Sequence, residues 1–133
     1  MCGIGGMLGE PDQAILSRMN SLMDHRGPDG QGIFSDDDCG LAHTRLAIVD
    51  IVGSPQPIYG PGKVAVVNGE IYNHLSLKNS MYQYTTNGDS EVVLSLHTGK
   101  GNASTHAKWI SKLDGMFAFA LWSEGQLILA RDA

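Results

Sequence analysis

Apolar residues recur along this chain with two different spacings, which predict strands and helices in mixed order. Apolar runs bounded by turn formers predict strands at 3–8, 33–34, 41–43, 64–67, 82–85, 116–122 and 126–131. Apolar residues three or four positions apart predict helices that begin near Pro11-Asp12, Glu91 and Thr105. The first helix is predicted to bury one face, formed by Ile15, Leu16, Met19, Leu22 and Met23. The last two strands are predicted to form a hairpin in a sheet covered on both faces.

Turn formers and polar residues separate these elements. His25-Arg26-Gly27-Pro28-Asp29-Gly30 predicts a rigid turn after the first helix. The acidic run 36–38 predicts the solvated loop of a hairpin, and Cys39 after it is predicted to be a packed thiol. Asp89 or Ser90 is predicted to cap the helix that begins at Glu91.

Composition limits the class of protein. The chain has 133 residues, of which 42% are hydrophobic and 17% charged, which is typical of one globular domain. A net charge of −5 argues against nucleic acid or an anionic membrane as the main partner. Two cysteines do not form a disulfide framework, and no apolar run is long enough to span a bilayer. The opening residues lack the features of a signal peptide, so a cytoplasmic location is expected.

The first candidate chemistry lies in Met1-Cys2-Gly3-Ile4-Gly5-Gly6. Removal of Met1 would leave Cys2 with a thiol and a free α-amino group. An α-amino group has a pKa of roughly 7.7–8.0, so it can act as a general base near neutral pH. A thiol with a pKa of about 8.5 needs little help to become a nucleophilic thiolate. One residue would then supply nucleophile and base. The alternative is a structural cysteine in a buried strand.

Two further polar features lie within apolar sequence. Arg45 is suited to bind a carboxylate through two parallel hydrogen bonds, and the alternative is a salt bridge to Asp50 or Asp29. Asn68-Gly69 follows a predicted buried strand, where such a pair normally indicates a hairpin turn. The alternative is an oxyanion hole, because the Asn68 amide and the Gly69 N–H are two donors that can converge.

Metal chemistry has little support. Three consecutive carboxylates, as at 36–38, rarely converge on one ion. The histidines show neither an HxH nor an HExxH spacing, so a metal hydrolase remains a weak alternative. These histidines are His25, His43, His74, His97 and His106. We therefore expect no metal-ligating residues.

Six ordered motifs closely resemble the N-terminal glutaminase domain of the asparagine synthetase family, a class II glutamine amidotransferase. They are Met1 to Ile4, His25 to Asp29, His43 to Asp50, Asn68 to Asn73, Gly88 to Glu91 and Leu113 to Trp122. The resemblance covers nearly the whole chain, and the spellings RGPDG and HTRLAIVD point to the asparagine synthetase branch among related amidotransferases. It implies an α+β fold, the N-terminal-nucleophile αββα sandwich of two antiparallel sheets between helical layers.

The resemblance also implies a reaction, the hydrolysis of L-glutamine to glutamate and ammonia through a thioester on Cys2. Asn68 and the N–H of Gly69 would hold the oxyanion of the tetrahedral intermediate. The substrate-binding residues that the resemblance implies are Arg45 for the α-carboxylate, the Ile48 backbone for orientation, and Glu70 and Asp89 for the α-ammonium group.

The family's enzymes continue with further strands and with an ATP-dependent synthetase domain, whose Ser-Gly-Gly-x-Asp-Ser loop does not occur in this sequence. We therefore expect residues 1–133 to be a partial type 2 glutamine amidotransferase domain, incomplete at its C-terminus and without a cofactor. ATP and magnesium would belong to the synthetase domain, which would accept the ammonia.

Two expectations concern the state of the chain. An uncovered apolar strand at Leu127-Ile128-Leu129 predicts a homodimer, or aggregation, with residues 116–133 contributing to the contact. The alternative is a monomer whose edge is shielded by the helix at 105–113. If Met1 stays attached, Cys2 lacks its free amine. The alternative function is a non-catalytic glutamine-binding or regulatory fragment of the same fold.

Overall fold

Two antiparallel sheets lie face to face at the centre of the protein. The structure, a computed structural model, describes residues 1–48 and 50–133. Val49, which belongs to the motif from His43 to Asp50, lies outside the described residues. The strands are β1 (Gly3–Leu8), β2 (Gly30–Ser35), β3 (Cys39–Arg45), β4 (Ile58–Gly60), β5 (Lys63–Ile71), β6 (Gly115–Ser123) and β7 (Gln126–Arg131). The helices are α1 (Gln13–Met23), α2 (His74–Leu77), α3 (Val92–Leu96) and α4 (Ala103–Ile110).

The two sheets are built largely from hairpins. The first sheet has the strand order β1-β3-β2, and the second has the order β4-β5-β6-β7. All the paired strands are antiparallel, and Gly3 of β1 lies opposite Thr44 of β3. The predicted hairpin around the acidic run is confirmed, since every residue of β2 pairs with β3.

A hydrophobic core fills the space between the sheets. It consists of Cys39, Leu41, Val64, Val66, Ala120 and Trp122. The indole N–H of Trp122 donates to a carboxylate oxygen of Asp36 at 2.7 Å, which ties the hairpin loop to the second sheet. Cys39 is fully buried, as predicted, and burial raises the pKa of its thiol to about 11.

A second core lies between the outer face of the second sheet and α3 and α4. It includes Val67 of β5, Val92, Val93 and Leu94 of α3, Trp109 of α4, and Phe117, Phe119 and Leu121 of β6. On the other side of the protein, α1 packs against β1 and β3. The layers are therefore helix, sheet, sheet and helix, which confirms the αββα sandwich.

The predicted buried face of α1 is partly wrong. Leu16 and Asn20 are buried, whereas Ile15 is exposed and Leu22 is 67% exposed. The helix lies so close to the sheet that a Cβ at Gly40 would fall 2.5 Å from a Leu16 methyl carbon. At this short distance only the narrow central stripe of the helix touches the sheet, so residues at its flanks face solvent.

The predicted strand at 82–85 does not form, and Glu91 explains why. Its side chain is fully buried. Its two oxygens accept hydrogen bonds from the main-chain N–H groups of Thr85 and Thr86, at 2.9 and 2.7 Å, and from both threonine hydroxyls. These N–H groups are therefore not available to a sheet.

The predicted cap of the third helix is also wrong, because the residue at its N-terminus is Glu91 and no side chain caps it. The prediction that the last hairpin is covered on both faces fails at its outer strand, where Leu129 is 71% exposed.

Candidate active site

A cavity of about 140 Å³ opens where the start of β1 meets the ends of β3 and β5. It brings together five of the seven predicted site residues, namely Cys2, Arg45, Ile48, Gly69 and Glu70. Its other lining residues are Met1, Leu46, Ser54, Gln56, Val67, Ser90 and Met116. The two remaining predicted residues, Asn68 and Asp89, are chain neighbours of lining residues but do not line the cavity themselves.

The thiol of Cys2 is half-buried at the wall of this cavity. Its sulfur accepts a hydrogen bond from the main-chain N–H of Leu46 at 3.2 Å. The carbonyl of Cys2 accepts one from the Arg26 side chain at 3.1 Å. The turn that begins at His25 therefore fixes the backbone of Cys2, and the residue after Arg45 fixes its sulfur.

Arg45 ends β3, and its guanidinium group reaches into the following loop. Its Nη1 donates to the carbonyl of Ile51 at 2.7 Å, and its Nη2 donates to the carbonyl of Asp50 at 2.5 Å. Asp29 was one of the two possible salt-bridge partners of Arg45 considered from the sequence. Its carboxylate accepts a hydrogen bond from the N–H of Ala47 at 2.9 Å. The guanidinium therefore joins the end of β3 to the loop that forms one wall of the cavity.

Asn68-Gly69 does not form the hairpin that its sequence normally indicates. β5 continues through it to Ile71, with Asn68 opposite Ala118. Gly69 has a φ of +123°, and a Cβ there would lie 1.9 Å from the carbonyl oxygen of Met116. Glycine is therefore needed for the close approach of β5 to β6 beside the cavity.

The side chain of Asn68 is half-buried. Its Oδ1 is buried and has no hydrogen-bond partner within residues 1–48 and 50–133. Such an unpaired buried oxygen is costly, so native sites that contain one often have a functional reason for it.

A clamp on Val67 holds the residue that precedes Asn68. The N–H of Val67 donates to Gln56 Oε1 at 2.6 Å, and its carbonyl accepts from Gln56 Nε2 at 3.1 Å. The Gln56 side chain, just before β4, thus bonds the backbone of Val67 as a neighbouring strand would. The same carbonyl lies 3.0 Å from Nε2 of His43 in the other sheet. A carbonyl can only accept, so this histidine nitrogen carries its proton. Burial lowers the pKa of His43 to about 4, which keeps the ring neutral near neutral pH.

Asp89 is buried behind the cavity wall. One of its carboxylate oxygens accepts from the N–H of Ile71 at 2.7 Å. Asp89 thus joins the start of α3 to the end of β5. The next residue, Ser90, is the one that lines the cavity.

Sequence reasoning missed Ser54, Gln56 and Ser90 as lining residues. Ser54 and Gln56 occupy a loop that the sequence shows only as rich in glycine and proline. The one available signal was Gln56 itself, since a polar residue between two prolines cannot be explained by strand pairing. Ser90 was interpreted as a helix cap.

The described part of the chain has neither a group of potential metal ligands nor a helix that could span a membrane. In residues 1–48 and 50–133, no three His, Cys, Asp or Glu side chains are grouped so that they could hold a metal ion. Within the same ranges, no helix is both long enough and apolar enough to cross a membrane.

The chain matches a protein family and several known proteins along its length. The family model described as "Glutamine amidotransferase domain" matches residues 1–133. Asparagine synthetase B (glutamine-hydrolysing) of Escherichia coli K12 is 42% identical over 132 residues, which cover 92% of this chain and 23% of that protein. Glutamine-hydrolysing asparagine synthetase 3 of Arabidopsis thaliana is 44% identical over 144 residues, which cover all of this chain and 24% of that protein. The chain thus spans about a quarter of the length of these relatives.

A solved structure shares the fold. Glutamine phosphoribosylpyrophosphate amidotransferase from Bacillus subtilis superposes with a TM-score of 0.76 at 21% identity, over 99% of this chain and 37% of that one. At this identity the likeness concerns the fold alone. The αββα arrangement deduced from the two cores is therefore found in a solved amidotransferase.

Proposed function

Because this chain belongs to the glutamine amidotransferase domain family, we propose that it hydrolyses L-glutamine to glutamate and ammonia with Cys2 as the nucleophile. The proposal rests mainly on one observation: Cys2, Arg45, Gly69 and Glu70 line the same small cavity. A nucleophile, a cation, an N–H donor and a carboxylate are the groups required by the amide, the α-carboxylate, the developing oxyanion and the α-ammonium group of glutamine.

The reaction begins once Met1 has been removed. The Cys2 thiol transfers its proton to its own α-amino group, and the sulfur attacks the side-chain carbonyl carbon of glutamine. The protonated amine then gives the proton to the departing nitrogen, so that the C–N bond breaks and ammonia leaves. Water attacks the resulting thioester, which releases glutamate and restores the thiol.

Asn68 and Gly69 stabilise the tetrahedral intermediate in this proposal. Gly69 is part of the cavity wall, and Asn68 directly precedes it on β5. The clamp formed by Gln56 and His43 on Val67 fixes the strand at this point. A preorganised donor of this kind costs no reorganisation during the reaction, which is why it lowers the barrier.

The remaining predicted residues orient the substrate. Arg45 binds the α-carboxylate, and the backbone of Ile48 helps to orient it. Glu70 and Asp89 receive the α-ammonium group. One oxygen of Asp89 is used by the Ile71 N–H, and a carboxylate has a second oxygen that can accept from a ligand.

The test is release of ammonia and glutamate from glutamine by the domain with Cys2 at its N-terminus. We expect steady turnover, loss of it in Cys2→Ser, and alkylation at Cys2 by a diazoketone analogue of glutamine, detected by intact mass. Cys39→Ser is the matched control, because the Cys39 thiol is fully buried between the sheets. A protein that keeps a blocking residue before Cys2 should be inactive for lack of the free amine. Full turnover in Cys2→Ser would refute the assignment, whereas glutamine binding without turnover in the processed protein would favour the non-catalytic function.

The fate of the ammonia is a further part of the proposal. The relatives are named as glutamine-hydrolysing asparagine synthetases, so we expect transfer of the ammonia to an ATP-dependent synthetase domain or subunit. That domain would hold the ATP and magnesium, and we expect a cytoplasmic location for the assembly. Formation of asparagine from glutamine, aspartate and ATP when such a domain is added would support this, and formation only from free ammonia would contradict it.

We also propose that the isolated domain forms a homodimer through β7. Leu129 is largely exposed there, next to an apolar groove that Ile4, Leu8, Ala120 and Leu127 help to line. An uncovered edge strand presents free N–H and carbonyl groups for pairing. Light scattering should give twice the monomer mass, and Leu129→Lys should restore the monomer. A monodisperse wild-type monomer at tens of micromolar, roughly the range where exposed edges associate, would refute the dimer.

A further inference from the structure

Asp50 lies just outside the cavity and contacts two loops that each supply a lining residue. One loop is residues 50–54, which begin with the last residue of the motif that contains Arg45, and the other is residues 86–90, which precede α3. We propose that Asp50 is a positioning residue that holds these two loops together and so sets the shape of the substrate-binding wall. The inference rests on the proposed function, since it treats the cavity as the glutamine site.

The carboxylate of Asp50 accepts hydrogen bonds from both loops. Within its own loop, Oδ1 accepts from the N–H of Gly53 at 3.0 Å, and Oδ2 accepts from the hydroxyl of Ser54 at 2.7 Å. From the other loop, Oδ2 also accepts from the N–H of Asn87 at 3.0 Å, across 37 residues of chain. The Ser54 hydroxyl, followed by the Asn87 N–H, lowers the pKa of Asp50, so the ionised form that accepts all three bonds is favoured.

Each loop carries groups that face the proposed substrate. The carbonyls of Asp50 and Ile51 hold the guanidinium of Arg45, and Ser54 lines the cavity. The second loop carries Ser90, which also lines the cavity. The bond from Asp50 to the second loop therefore fixes the spacing of the two loops that contribute Ser54 and Ser90 to the cavity.

The local backbone is built around this carboxylate. Asp50 itself has a φ of +49°, in the left-handed region that aspartate tolerates better than most residues. A Cβ at Gly53 would lie 2.6 Å from both carboxylate oxygens, and a Cβ at Gly88 would lie 2.5 Å from the Ser54 hydroxyl. Glycine at both positions thus permits the close approach of the loops to Asp50 and Ser54.

The change Asp50→Asn tests the inference with little change of shape. The amide of asparagine keeps one acceptor oxygen. Its NH₂ group would face the N–H of either Gly53 or Asn87, and that N–H would lose its acceptor. In the processed domain we expect KM for glutamine to rise about tenfold or more, while kcat changes by less than about threefold, because positioning of a binding wall is felt in ground state and transition state alike. Asp37→Asn is the matched control, since Asp37 is an exposed carboxylate in the β2–β3 hairpin.

A second readout does not depend on turnover. Amide hydrogen exchange should become faster at Gly53 and Asn87 in Asp50→Asn, and it should be unchanged in Asp37→Asn. A structural defect elsewhere in the protein would not select these two amides. In a double-mutant cycle, Asp50→Asn should have a smaller effect in the Ser54→Ala background, since the two side chains share one hydrogen bond.

The outcomes separate the inference from the function it rests on. An unchanged KM, or a loss confined to kcat, would overturn the positioning role even if the two amides exchanged faster. Unchanged exchange at Gly53 and Asn87 would overturn the link between the loops. Failure of the wild-type domain to release ammonia would instead overturn the proposed function, and the exchange comparison would still decide whether Asp50 joins the loops.

Discussion

The buried histidine beside the cavity leads to a prediction about stability and pH. His43 is fully buried, and its Nε2 donates to the carbonyl of Val67. Its Nδ1 is buried without a hydrogen-bond partner among the described residues. Burial, followed by the nearby charge of Arg45, lowers the pKa of His43 from 6.5 to about 4. Protonation of this ring therefore opposes the folded state.

The size of the effect follows from the two pKa values. The folded-state pKa is below the unfolded one, so the contribution to stability is complete above pH 6.5 and is lost as the pH falls toward 4. At about 1.4 kcal/mol for each pKa unit, the full contribution is about 3 kcal/mol. Between pH 7 and pH 5, the free energy of unfolding should fall by about 2 kcal/mol on account of His43 alone.

The assay compares urea unfolding of the wild type and His43→Gln from pH 7 to pH 5. The glutamine amide can donate to the Val67 carbonyl but does not titrate. The variant's free energy of unfolding should therefore vary less with pH, by about 2 kcal/mol over this range. His97, whose pKa burial also lowers, is present in both proteins and cancels in the comparison. His25→Gln is the control, because His25 is exposed.

The comparison concerns the slope with pH, so an overall loss of stability in the variant does not affect it. Equal losses of stability in the wild type and His43→Gln between pH 7 and pH 5 would refute the reasoning. A flattened curve in His25→Gln would show that the pH dependence arises at the surface instead.

Four further changes have definite expected results. Asn68→Ala should lower kcat on the order of 10²–10³-fold with a smaller effect on KM, and Arg45→Ala should mainly raise KM; steady-state kinetics with the reverse pattern would contradict both roles. Gly69→Ala should destabilise the domain by about 2 kcal/mol or more, because its Cβ would collide with the Met116 carbonyl, and a urea midpoint equal to wild type would be inconsistent with the close approach of β5 and β6. Glu91→Gln should lower the free energy of unfolding by about 2 kcal/mol, since a buried carboxylate that accepts four hydrogen bonds loses one acceptor oxygen. Thermal melting should give a lower Tm, and an unchanged Tm would show that these bonds do not stabilise the domain.

Local pattern was sufficient for the elements whose side chains pack on a regular surface. Strands β5, β6 and β7 were predicted because apolar runs report burial directly. The acidic run at 36–38 was predicted as a hairpin loop, and β2 and β3 pair on either side of it. Cys39 was predicted to be a packed thiol for the same reason. The identity of the candidate nucleophile also came from sequence alone, because it depends on the chain position of Cys2 and not on its surroundings.

Tertiary contacts decided the structure of segments whose hydrogen-bond or packing partners do not follow a periodic pattern in the sequence. Asn68-Gly69 has the sequence of a turn, but pairing with β6 stabilises a continuous strand there, and only glycine fits beneath the Met116 carbonyl. The segment at 82–85 has strand-forming residues, but the buried carboxylate of Glu91 takes the N–H groups of Thr85 and Thr86. A hydrogen bond of this kind leaves no periodic signal in the sequence.

The candidate site shows the same division. Sequence and resemblance together identified Cys2, Arg45 and Glu70, which do line one cavity. Neither indicated that Gln56 would substitute for a strand beside Val67, or that Asp50 would join two loops 37 residues apart. Those contacts form only when the two sheets and their loops are packed together, because each depends on the distance between segments that are remote in the chain.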